Sequence, residues 1–433
     1  MRLDRPPYRI EPHFHALEPR NSRVRIPQDL THEMNDMSIQ LGYCTNVHAG
    51  ANLETTRANL QEHATVVKQL FSPDQPMGIG LWLSAPTAMG LQDEKLKAFK
   101  DWLDREGLVP FTFNGFPFGD FHQPVVKHKV YEPTWSDKER LEYTSQLFRC
   151  MDTLLPEGMD GSISTLPLGW GDLAEDESFL QRCGLHLSRL SEQLESLEES
   201  TGRRIQVCLE PEPGCVIDTA EDLTDFFERY LSGDSENQRQ RSRRYLGVCH
   251  DICHSAVMNE SQKHAVDAYQ NHGIEIGKVQ VSAAVQFELP PFGSANHDQV
   301  LQQLEAFAED RYLHQTTVAS QSNPTTRFFE DLPQAIESAS RENETTRWRT
   351  HFHVPIYRKH LGLMQSTQEE IREFLAALAD SNQDVRHFEV ETYAWSVLPA
   401  EHQVNRLADG ISQELHWFHD LYCSGSGRNP NVK

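Results

Sequence analysis

Short apolar runs alternate with longer segments of helical periodicity along most of the chain, beginning near residue 40. This alternation is typical of parallel strands that are joined by crossover helices. We predict eight strands from it. They cover LGYCTN (41–46), GIGLWLS (78–84), VPFTFNG (109–115), SISTLPLG (162–169), QVCLEPE (206–212), LGVCHDICH (246–254), KVQVSAAV (278–285) and RHFEVETY (386–393).

The segments between these strands carry signals for helix ends. Leu96, Phe99, Trp102 and Leu103 form an apolar stripe, and Gly107 follows as a helix stop. Three further helices should begin at capping boxes, in which a Ser or Thr precedes an acid by three residues. The predicted boxes are Ser136 with Glu139, Thr219 with Asp222, and Thr367 with Glu370.

Eight strands that are each followed by a helix predict an α/β fold, namely a single (β/α)8 TIM barrel. An open doubly wound sheet is disfavoured because no glycine-rich dinucleotide fingerprint follows any strand. About 100 residues separate the seventh strand from the eighth, and they contain a further strand-like run, THFHVPIY (350–357). This run is either an inserted hairpin over the barrel mouth or a barrel strand in place of one of the others. We favour the insertion.

The barrel is expected to span residues 38–424. Residues 1–37 are rich in Arg, Pro and His and lack the continuous apolar segment of a secretory signal, so we expect an N-terminal extension that is partly disordered. Residues 425–433 have the composition of a linker and are expected to form a flexible tail.

Charge and hydropathy exclude several classes of function. The 433 residues include 40 Lys and Arg against 64 Asp and Glu, a net charge of -24 that repels nucleic acid. No apolar stretch reaches the roughly 18 residues of a membrane span, and the mean hydropathy is -0.59, so we expect a protein that is not membrane-embedded. The eight scattered cysteines lack zinc-ribbon spacing and predict reduced thiols in a cytoplasmic protein.

Carboxylates close three of the predicted strands. Glu210 and Glu212 follow the fifth strand, Asp251 and His254 end the sixth, and Glu391 ends the eighth. Active sites of (β/α)8 barrels lie at these carboxyl ends. Burying three like charges together would require a compensating cation, so we predict a site for a divalent ion, Mn, Zn, Co or Mg. The alternative is that these acids are exposed loop residues.

The histidine ligand of this ion is left open by the residues themselves. His254 lies three residues beyond Asp251, whereas His351 and His353 alternate onto one face of the predicted strand THFHVPIY. Each of the three could instead be a hydrogen-bonded core histidine.

Further polar and aromatic residues follow the strands and are candidates for substrate contacts. The loop NGFPFGDFH (114–122) could wall a pocket or simply pack as a loop. An Asn or His at a strand end could hydrogen-bond a polyol, although a turn role is the alternative for the Asn. An aromatic ring after the eighth strand could stack on a sugar or only cover the barrel. The predicted substrate-binding residues are Asn46, His48, Asn114, Glu212, His351 and Trp395.

With Glu210, Asp251-x-x-His254 and Glu391, the chain resembles the xylose isomerase-like barrel superfamily of sugar isomerases, ketose epimerases and related endonucleases. The segments LGYCTNVHAG, FTFNGFPFGDFH, LEPEPG, GVCHDICHSA, HFHVP and EVETYAWSVLP, in order, further resemble the EboE family of metabolite traffic proteins. The resemblance runs from about residue 40 to about residue 420.

The superfamily resemblance implies a divalent cation bound by Glu210, Asp251, a histidine on strand seven and Glu391, with His254 in contact with substrate. Glu210 and Glu391 would then act as the acid and base of an isomerase or epimerase. The EboE resemblance implies a role in secondary-metabolite clusters and a functional link to a prenyltransferase-type membrane enzyme.

Strand seven departs from the superfamily pattern. Where the epimerases carry a histidine, this chain has Gln280, followed by Val281 and Ser282. The ligand there is Gln280 itself or comes from elsewhere, and His353 is our candidate replacement.

Three functions are therefore considered. The first is a metal-dependent isomerase or epimerase acting on a small polyhydroxylated molecule. The second is a carrier that binds a small molecule and catalyses no reaction. The presence of Gln280 in place of a histidine favours this function. The third is metal-assisted phosphoester hydrolysis, which the negative charge disfavours.

Overall fold

The computed structural model describes residues 39–233, 235–320, 322, 325–340 and 342–425. The predicted N-terminal extension, and all of the predicted tail except residue 425, lie outside these ranges.

A barrel of eight parallel strands forms the body of the described chain, as predicted. Each of the eight predicted strands is present, and neighbouring strands pair in parallel register. The barrel strands are β1 (Gln40–Tyr43), β2 (Met77–Trp82), β3 (Leu108–Asn114), β4 (Gly161–Thr165), β5 (Ile205–Leu209), β6 (Leu246–Asp251), β7 (Ile276–Val281) and β14 (His387–Val390).

The strand order around the barrel is β1-β14-β7-β6-β5-β4-β3-β2. A parallel bridge between Cys44 and Gly80 connects the two outer strands of this order and closes the barrel. The strands are buried along most of their length, because helices cover their outer faces. The sequence of alternating strands and helices thus forms a (β/α)8 barrel.

Fourteen α-helices are present in the described residues, most of them packed around the barrel. Short π-helical turns follow α1, at Leu60–Ala64, and α7, at Phe227–Leu231. The helices are α1 (Leu53–Asn59), α2 (Thr65–Phe71), α3 (Ala85–Gly90), α4 (Asp93–Glu106), α5 (Lys138–Leu154), α6 (Glu177–Thr201), α7 (Ala220–Phe226), α8 (Glu236–Tyr245), α9 (Ile252–Val257), α10 (Gln262–Asn271), α11 (His297–Glu305), α12 (Leu332–Ala339), α13 (Gln368–Ala379) and α14 (Leu407–Gly425).

An insertion separates β7 from β14, as predicted, and it is larger than a hairpin. It forms a six-stranded antiparallel sheet in the order β10-β9-β11-β8-β13-β12. Its strands are β8 (Val285–Leu289), β9 (Thr316–Ser320), β10 (Arg327–Phe329), β11 (Thr346–Thr350), β12 (His360–Leu361) and β13 (Met364–Ser366).

The prediction that His351 and His353 share one face of a strand is wrong. Strand β11 ends at Thr350, and the HFHVP segment continues as an irregular loop. Val354 N donates to Ala283 O at 3.0 Å, which fastens this loop to the end of β7. The loop therefore leaves the inserted sheet and returns to the barrel mouth.

Two of the predicted helix signals are confirmed. Gly107 follows α4 with a φ of 66°, the left-handed conformation that glycine adopts without strain. The capping box at α7 is complete, since the Thr219 hydroxyl accepts from Asp222 N and the Asp222 carboxylate accepts from Thr219 N.

The other two capping boxes are wrong. Helix α5 follows Asp137 rather than Ser136, and no side chain caps its first turn. Thr367 does precede α13, but its hydroxyl accepts from Ala284 N at 2.8 Å, and Glu370 pairs with an arginine of the inserted sheet. At α13, tertiary contacts with the insertion have taken the groups that a local cap would use, whereas the Ser136 hydroxyl bonds Thr134 Oγ1 at 3.0 Å.

No helix in the described part of the chain is both long and apolar enough to cross a membrane. The eight cysteines are thiols rather than disulfides, as predicted, and seven of them are buried.

Glu414 on α14 fastens the segment that follows β14. Its carboxylate accepts from the Thr392 hydroxyl at 2.6 Å, from Ile356 N at 3.2 Å and from the Trp395 indole N–H at 3.0 Å. Glu414 is buried, and burial raises its pKa from 4.5 to about 7.

This raised pKa predicts how stability depends on pH. Between pH 4.5 and about 7 the folded chain keeps a proton on Glu414 that the unfolded chain releases, so stability falls as the pH rises through that window. The loss is on the order of 3 kcal/mol. Glu414→Gln should flatten this part of the pH dependence of urea unfolding. Glu157→Gln, at an exposed carboxylate, should keep the wild-type slope; an unchanged slope in Glu414→Gln would contradict the assignment.

Candidate metal and active site

A cavity opens at the carboxyl ends of the barrel strands, and the space between its walls, including the open solvent at its mouth, is about 530 Å³. Its floor is acidic and its upper walls are largely aromatic and aliphatic, with contributions from the barrel loops and from the insertion. It is lined by Asn46, Asn114, Phe116, Pro117, Phe121, Val126, Lys127, Val130, Tyr131, Glu210, Glu212, His254, Tyr312, Leu313, His351, Glu391 and Tyr393.

Three carboxylates from three strands meet at the floor of this cavity. Glu210 follows β5, Asp251 ends β6 and Glu391 follows β14. One oxygen from each lies within 4.8 Å of one oxygen from each of the others, and all three residues are buried. Parallel strands in register end at the same level of a barrel, which brings these side chains together.

Hydrogen bonds orient one oxygen of Glu391 and one of Asp251, while other carboxylate oxygens of the site have no hydrogen-bond partner in the described chain. Glu391 Oε1 accepts from the side-chain amides of Asn46 at 2.8 Å and Asn114 at 2.9 Å. Asp251 Oδ1 accepts from the Ser282 hydroxyl at 2.7 Å and from the backbone N–H three residues later at 2.9 Å. Glu210 Oε2 and Asp251 Oδ2 are buried without a hydrogen-bond partner in the described chain. Open oxygens that face one another are suited to a cation.

The pKa values of the three carboxyls reflect this crowding. Burial raises the pKa of Glu210 well above its usual range, and the charges of Glu391 and Asp251 raise it further. Burial and the charge of Asp251 likewise raise the pKa of Glu391. Burial also acts to raise the pKa of Asp251, but His254, His353 and its hydrogen bonds outweigh burial, and the pKa is lowered. Without a cation, the site therefore retains protons on its glutamates.

A buried lysine lies inside the barrel beneath this acidic floor, but it serves another carboxylate. Lys278 Nζ on β7 is 2.6 Å from Glu389 Oε2, and both side chains are fully buried. The same ammonium donates to Ser164 Oγ at 3.1 Å and to Phe113 O at 3.3 Å. Gly80 opposite leaves room for the pair, since a Cβ there would lie 1.2 Å from Glu389 Oε1. The ion pair thus neutralises the level below the three acids.

Three histidines border the acids, and each is oriented through its Nδ1 atom. His254 Nδ1 lies 2.9 Å from Pro211 O, and His353 Nδ1 lies 2.7 Å from Glu391 O. His351 Nδ1 lies 2.8 Å from Gln315 Oε1. Because these oxygens only accept, each Nδ1 carries a proton, and in a neutral ring the Nε2 atom then presents a lone pair.

Nearly all of the predicted site residues come together at this cavity. Two of them, Asp251 and His353, have side-chain atoms within 4.8 Å of atoms of the lining residues, close enough to share a metal ion. The predicted residues that line the cavity are Asn46, Asn114, Glu210, Glu212, His254, His351 and Glu391.

Gln280 is fully buried on β7, next to Asp251 and Glu389 in register, and both of its side-chain polar atoms lack a hydrogen-bond partner in the described chain. It remains a candidate ligand.

Two predicted substrate contacts are placed elsewhere. His48 bonds the Tyr43 hydroxyl at 3.0 Å and stacks on His63, outside the cavity lining. Trp395 is buried against Gly410 and donates its indole N–H to Glu414. Its ring lies outside the cavity lining, to which this segment contributes Tyr393; covering the barrel was the other alternative drawn from the sequence.

Some residues of the site, among them the hydrogen-bond partners of the predicted Glu212, carry no signal in the sequence. Glu212 accepts from Tyr131 Oη at 2.8 Å and from Gln315 Nε2 at 3.1 Å, so two distant segments hold this acid in place. Tyr312 and Leu313 reach the cavity from the insertion. A polar residue inside an otherwise apolar strand, as at Lys278, is a sequence signal for a residue inside the barrel.

The residues present fit a divalent cation. Acidic oxygens from Glu210, Asp251 and Glu391 converge, two of the three residues have an oxygen without a partner, and imidazole nitrogens lie beside them. Carboxylate oxygens with imidazole nitrogen suit Mn, Co, Zn or Mg rather than a thiolate-bound structural zinc.

No family model matches this chain, and no curated protein matches its sequence. It is similar to a solved xylose isomerase-like TIM barrel protein from Mycobacterium smegmatis in complex with magnesium, at 9% identity and a TM-score of 0.49 over 90% of this chain and 98% of that chain. A D-allulose 3-epimerase from Methylomonas sp. in complex with D-allulose has 11% identity and a TM-score of 0.46, over 89% and 98%. The IOLI protein with a binding zinc atom has 11% identity and a TM-score of 0.42, over 89% and 99%.

Cation binding at the three carboxylates predicts a stability change that can be measured. Chelator-treated wild type should gain thermal stability with Mn²⁺ or Mg²⁺, ions that prefer oxygen ligands, by about 2.7 kcal/mol at one hundred times the Kd. The double variant Glu210→Gln/Glu391→Gln should lose most of this gain, yet without cation it should be no less stable than wild type, because it removes two crowded acids. Glu414→Gln, a buried acid outside the cavity, should keep the gain. An equal gain in the double variant would refute the site.

Proposed function

We propose that this protein is a divalent-metal-dependent isomerase or epimerase that acts on a small polyhydroxylated, sugar-like molecule by proton transfer. The observation that carries the proposal is the meeting of Glu210 and Glu391 at one cavity with Asp251 beside them. Strands β5 and β14 deliver the two glutamates and are separated by β6 and β7 in the barrel order. Two acids that reach a substrate from separate strands are suited to removing a proton and returning it.

A divalent cation bound by Glu210, Asp251 and Glu391, with Gln280 or a histidine, would supply Lewis acidity at a carbonyl or hydroxyl oxygen of the substrate. Burial and the neighbouring acids raise the pKa values of Glu210 and Glu391, so both groups hold a proton more readily than an exposed glutamate does. Asn46 and Asn114 hold one oxygen of Glu391 and leave the other for proton transfer.

His254 positions the reacting oxygen in this proposal. Its Nδ1 proton is committed to Pro211 O, so its Nε2 can accept from a substrate hydroxyl. Phe116, Phe121 and Tyr312 form walls that keep water from the reacting carbon.

A carrier that binds the same kind of molecule without chemistry is the second candidate. The observation that favours it is Gln280, which stands where the superfamily resemblance implies a histidine and is a weaker ligand. Phosphoester hydrolysis is disfavoured, because Lys127, the one basic residue other than histidine along the cavity lining, is paired with Asp331.

The pathway role is proposed from the sequence resemblance alone. We infer an EboE-like part in metabolite traffic, with a functional link to a prenyltransferase-type membrane enzyme. A cytoplasmic location is proposed as well, and the eight thiols support a reducing compartment.

Exchange of substrate protons with solvent tests the proposed reaction. Wild type with Mn²⁺ or Co²⁺ should incorporate deuterium from D2O into a ketose of a sugar panel, followed by NMR. Glu391→Gln and Glu210→Gln should each slow exchange by about 10²-fold or more, because each removes an acid or base. Glu414→Gln is the matched buried control and should exchange at the wild-type rate.

The same measurement separates the two candidates. Undiminished exchange in both glutamine variants would refute the proton-transfer roles. A sugar-dependent rise in melting temperature, with no exchange by wild type, would select the carrier.

A further inference from the structure

The three histidines at the cavity contact one another through their Nε2 atoms. His351 Nε2 lies 3.2 Å from His254 Nε2 and 3.1 Å from His353 Nε2. The Tyr393 hydroxyl lies 3.4 Å from the same His351 atom. His351 is therefore the centre of a histidine cluster, defined as His254, His351 and His353, and all three residues are buried.

The hydrogen bonds on the other side of the rings leave no proton for these contacts when the rings are neutral. Two of the Nδ1 atoms face backbone carbonyls, of Pro211 and Glu391. The third faces Gln315, whose Nε2 donates to Tyr131, Glu212 and Pro213, so that Gln315 Oε1 must be the atom turned to His351. All three neutral rings thus carry their proton on Nδ1.

Lone pairs that face one another at such distances repel unless something positive lies between them. A proton on one ring would bury a charged imidazolium and could bridge only one of the two nitrogen contacts at a time. A metal ion satisfies both contacts, since two nitrogens at roughly 2.0–2.1 Å from a tetrahedral ion lie about 3.3 Å apart. The observed separations of 3.1 and 3.2 Å are close to this value.

We propose that the histidine cluster is a second cation site, next to the carboxylate site, with His351 as its central ligand and His254 and His353 beside it. An acidic ligand is in place on each flank. Glu212 has an oxygen within 4.8 Å of the His254 and His351 nitrogens, and Asp251 has one within 4.8 Å of the His254 and His353 nitrogens. Asp251 Oδ2, buried and without a partner in the described chain, is free to complete this site.

The two sites differ in the ions that they suit. The carboxylate site offers oxygens, which Mg²⁺ and Mn²⁺ prefer, whereas the histidine cluster offers nitrogens, which Zn²⁺, Co²⁺ and Ni²⁺ prefer. Asp251 lies within 4.8 Å of ligand atoms of Glu210 and Glu391 and also of His254 and His353, so the two sites share this residue. His353, an early candidate for the carboxylate ion, is assigned here to the second ion. With the second ion bound, His254 Nε2 is a metal ligand and no longer accepts from a substrate hydroxyl. The inference does not rest on the proposed reaction, because a carrier could hold both ions.

Counting bound cobalt tests the second site without any measure of turnover. Chelator-treated protein is loaded with Co²⁺, desalted and assayed by elemental analysis and by visible absorption. We expect two ions per chain in wild type and one in His351→Gln, with loss of the more strongly absorbing, low-coordinate cobalt signal. Glu210→Gln/Glu391→Gln should also bind one ion and keep that signal. His297→Gln, at a buried histidine of the insertion away from the cavity, should bind two.

Two results would overturn the inference. One is wild type that binds a single ion, which the carboxylate double variant loses. The other is His351→Gln that binds as many ions as wild type. Should His351→Gln fail to fold, His254→Gln replaces it, with the same loss of one ion expected. Absence of sugar exchange with two bound ions would count against the proposed reaction and leave the second site intact.

Discussion

The burial of several carboxylates inside one closed barrel is the constraint on which the rest of the structure depends. At the lower level, Lys278 meets Glu389 in a fully buried ion pair, and that charge is compensated within the chain. At the upper level, Glu210, Asp251 and Glu391 meet without a lysine or arginine within ion-pair distance in the described residues. The negative charge is therefore neutralised within the chain at the lower level only. At the upper level, near the mouth of the barrel, a cation or protons must neutralise the three acids.

The insertion completes what the barrel begins. Its six strands carry the HFHVP loop back to the carboxyl ends of the barrel strands, where the His353 ring bonds Glu391 O and Val354 N bonds Ala283 O. Tyr312 and Leu313 come from the same insertion and form part of the cavity wall. The barrel thus supplies the acidic oxygens and the His254 nitrogen, and the insertion supplies the His351 and His353 nitrogens and further aromatic surface.

Much of the fold and of the acidic floor could be predicted because each depends on local patterns. An apolar run that is followed by an acidic residue, as at Glu210 and Asp251, predicts both a strand and the end of that strand at which the active site lies. The failures have a different cause. The boxes predicted at Ser136 and Thr367 follow a valid local rule, but at Thr367 the insertion offered the hydroxyl a buried amide as a better partner. The place of Trp395 also depends on tertiary contacts, since its indole N–H bonds Glu414 outside the cavity lining.

The sequence by itself determined the eight strands, their closure into a barrel, the presence of an insertion and the acids at the strand ends, because hydrophobic periodicity and strand boundaries are encoded within a few neighbouring residues. Only the tertiary structure decided which way each ring and carboxylate points. Hydrogen bonds between residues far apart in the chain, such as His351 with Gln315 and Glu391 with Asn114, place the proton on Nδ1 and leave Nε2 open. Such contacts have no signature in the sequence, since their partners meet only after the barrel and the insertion have packed together.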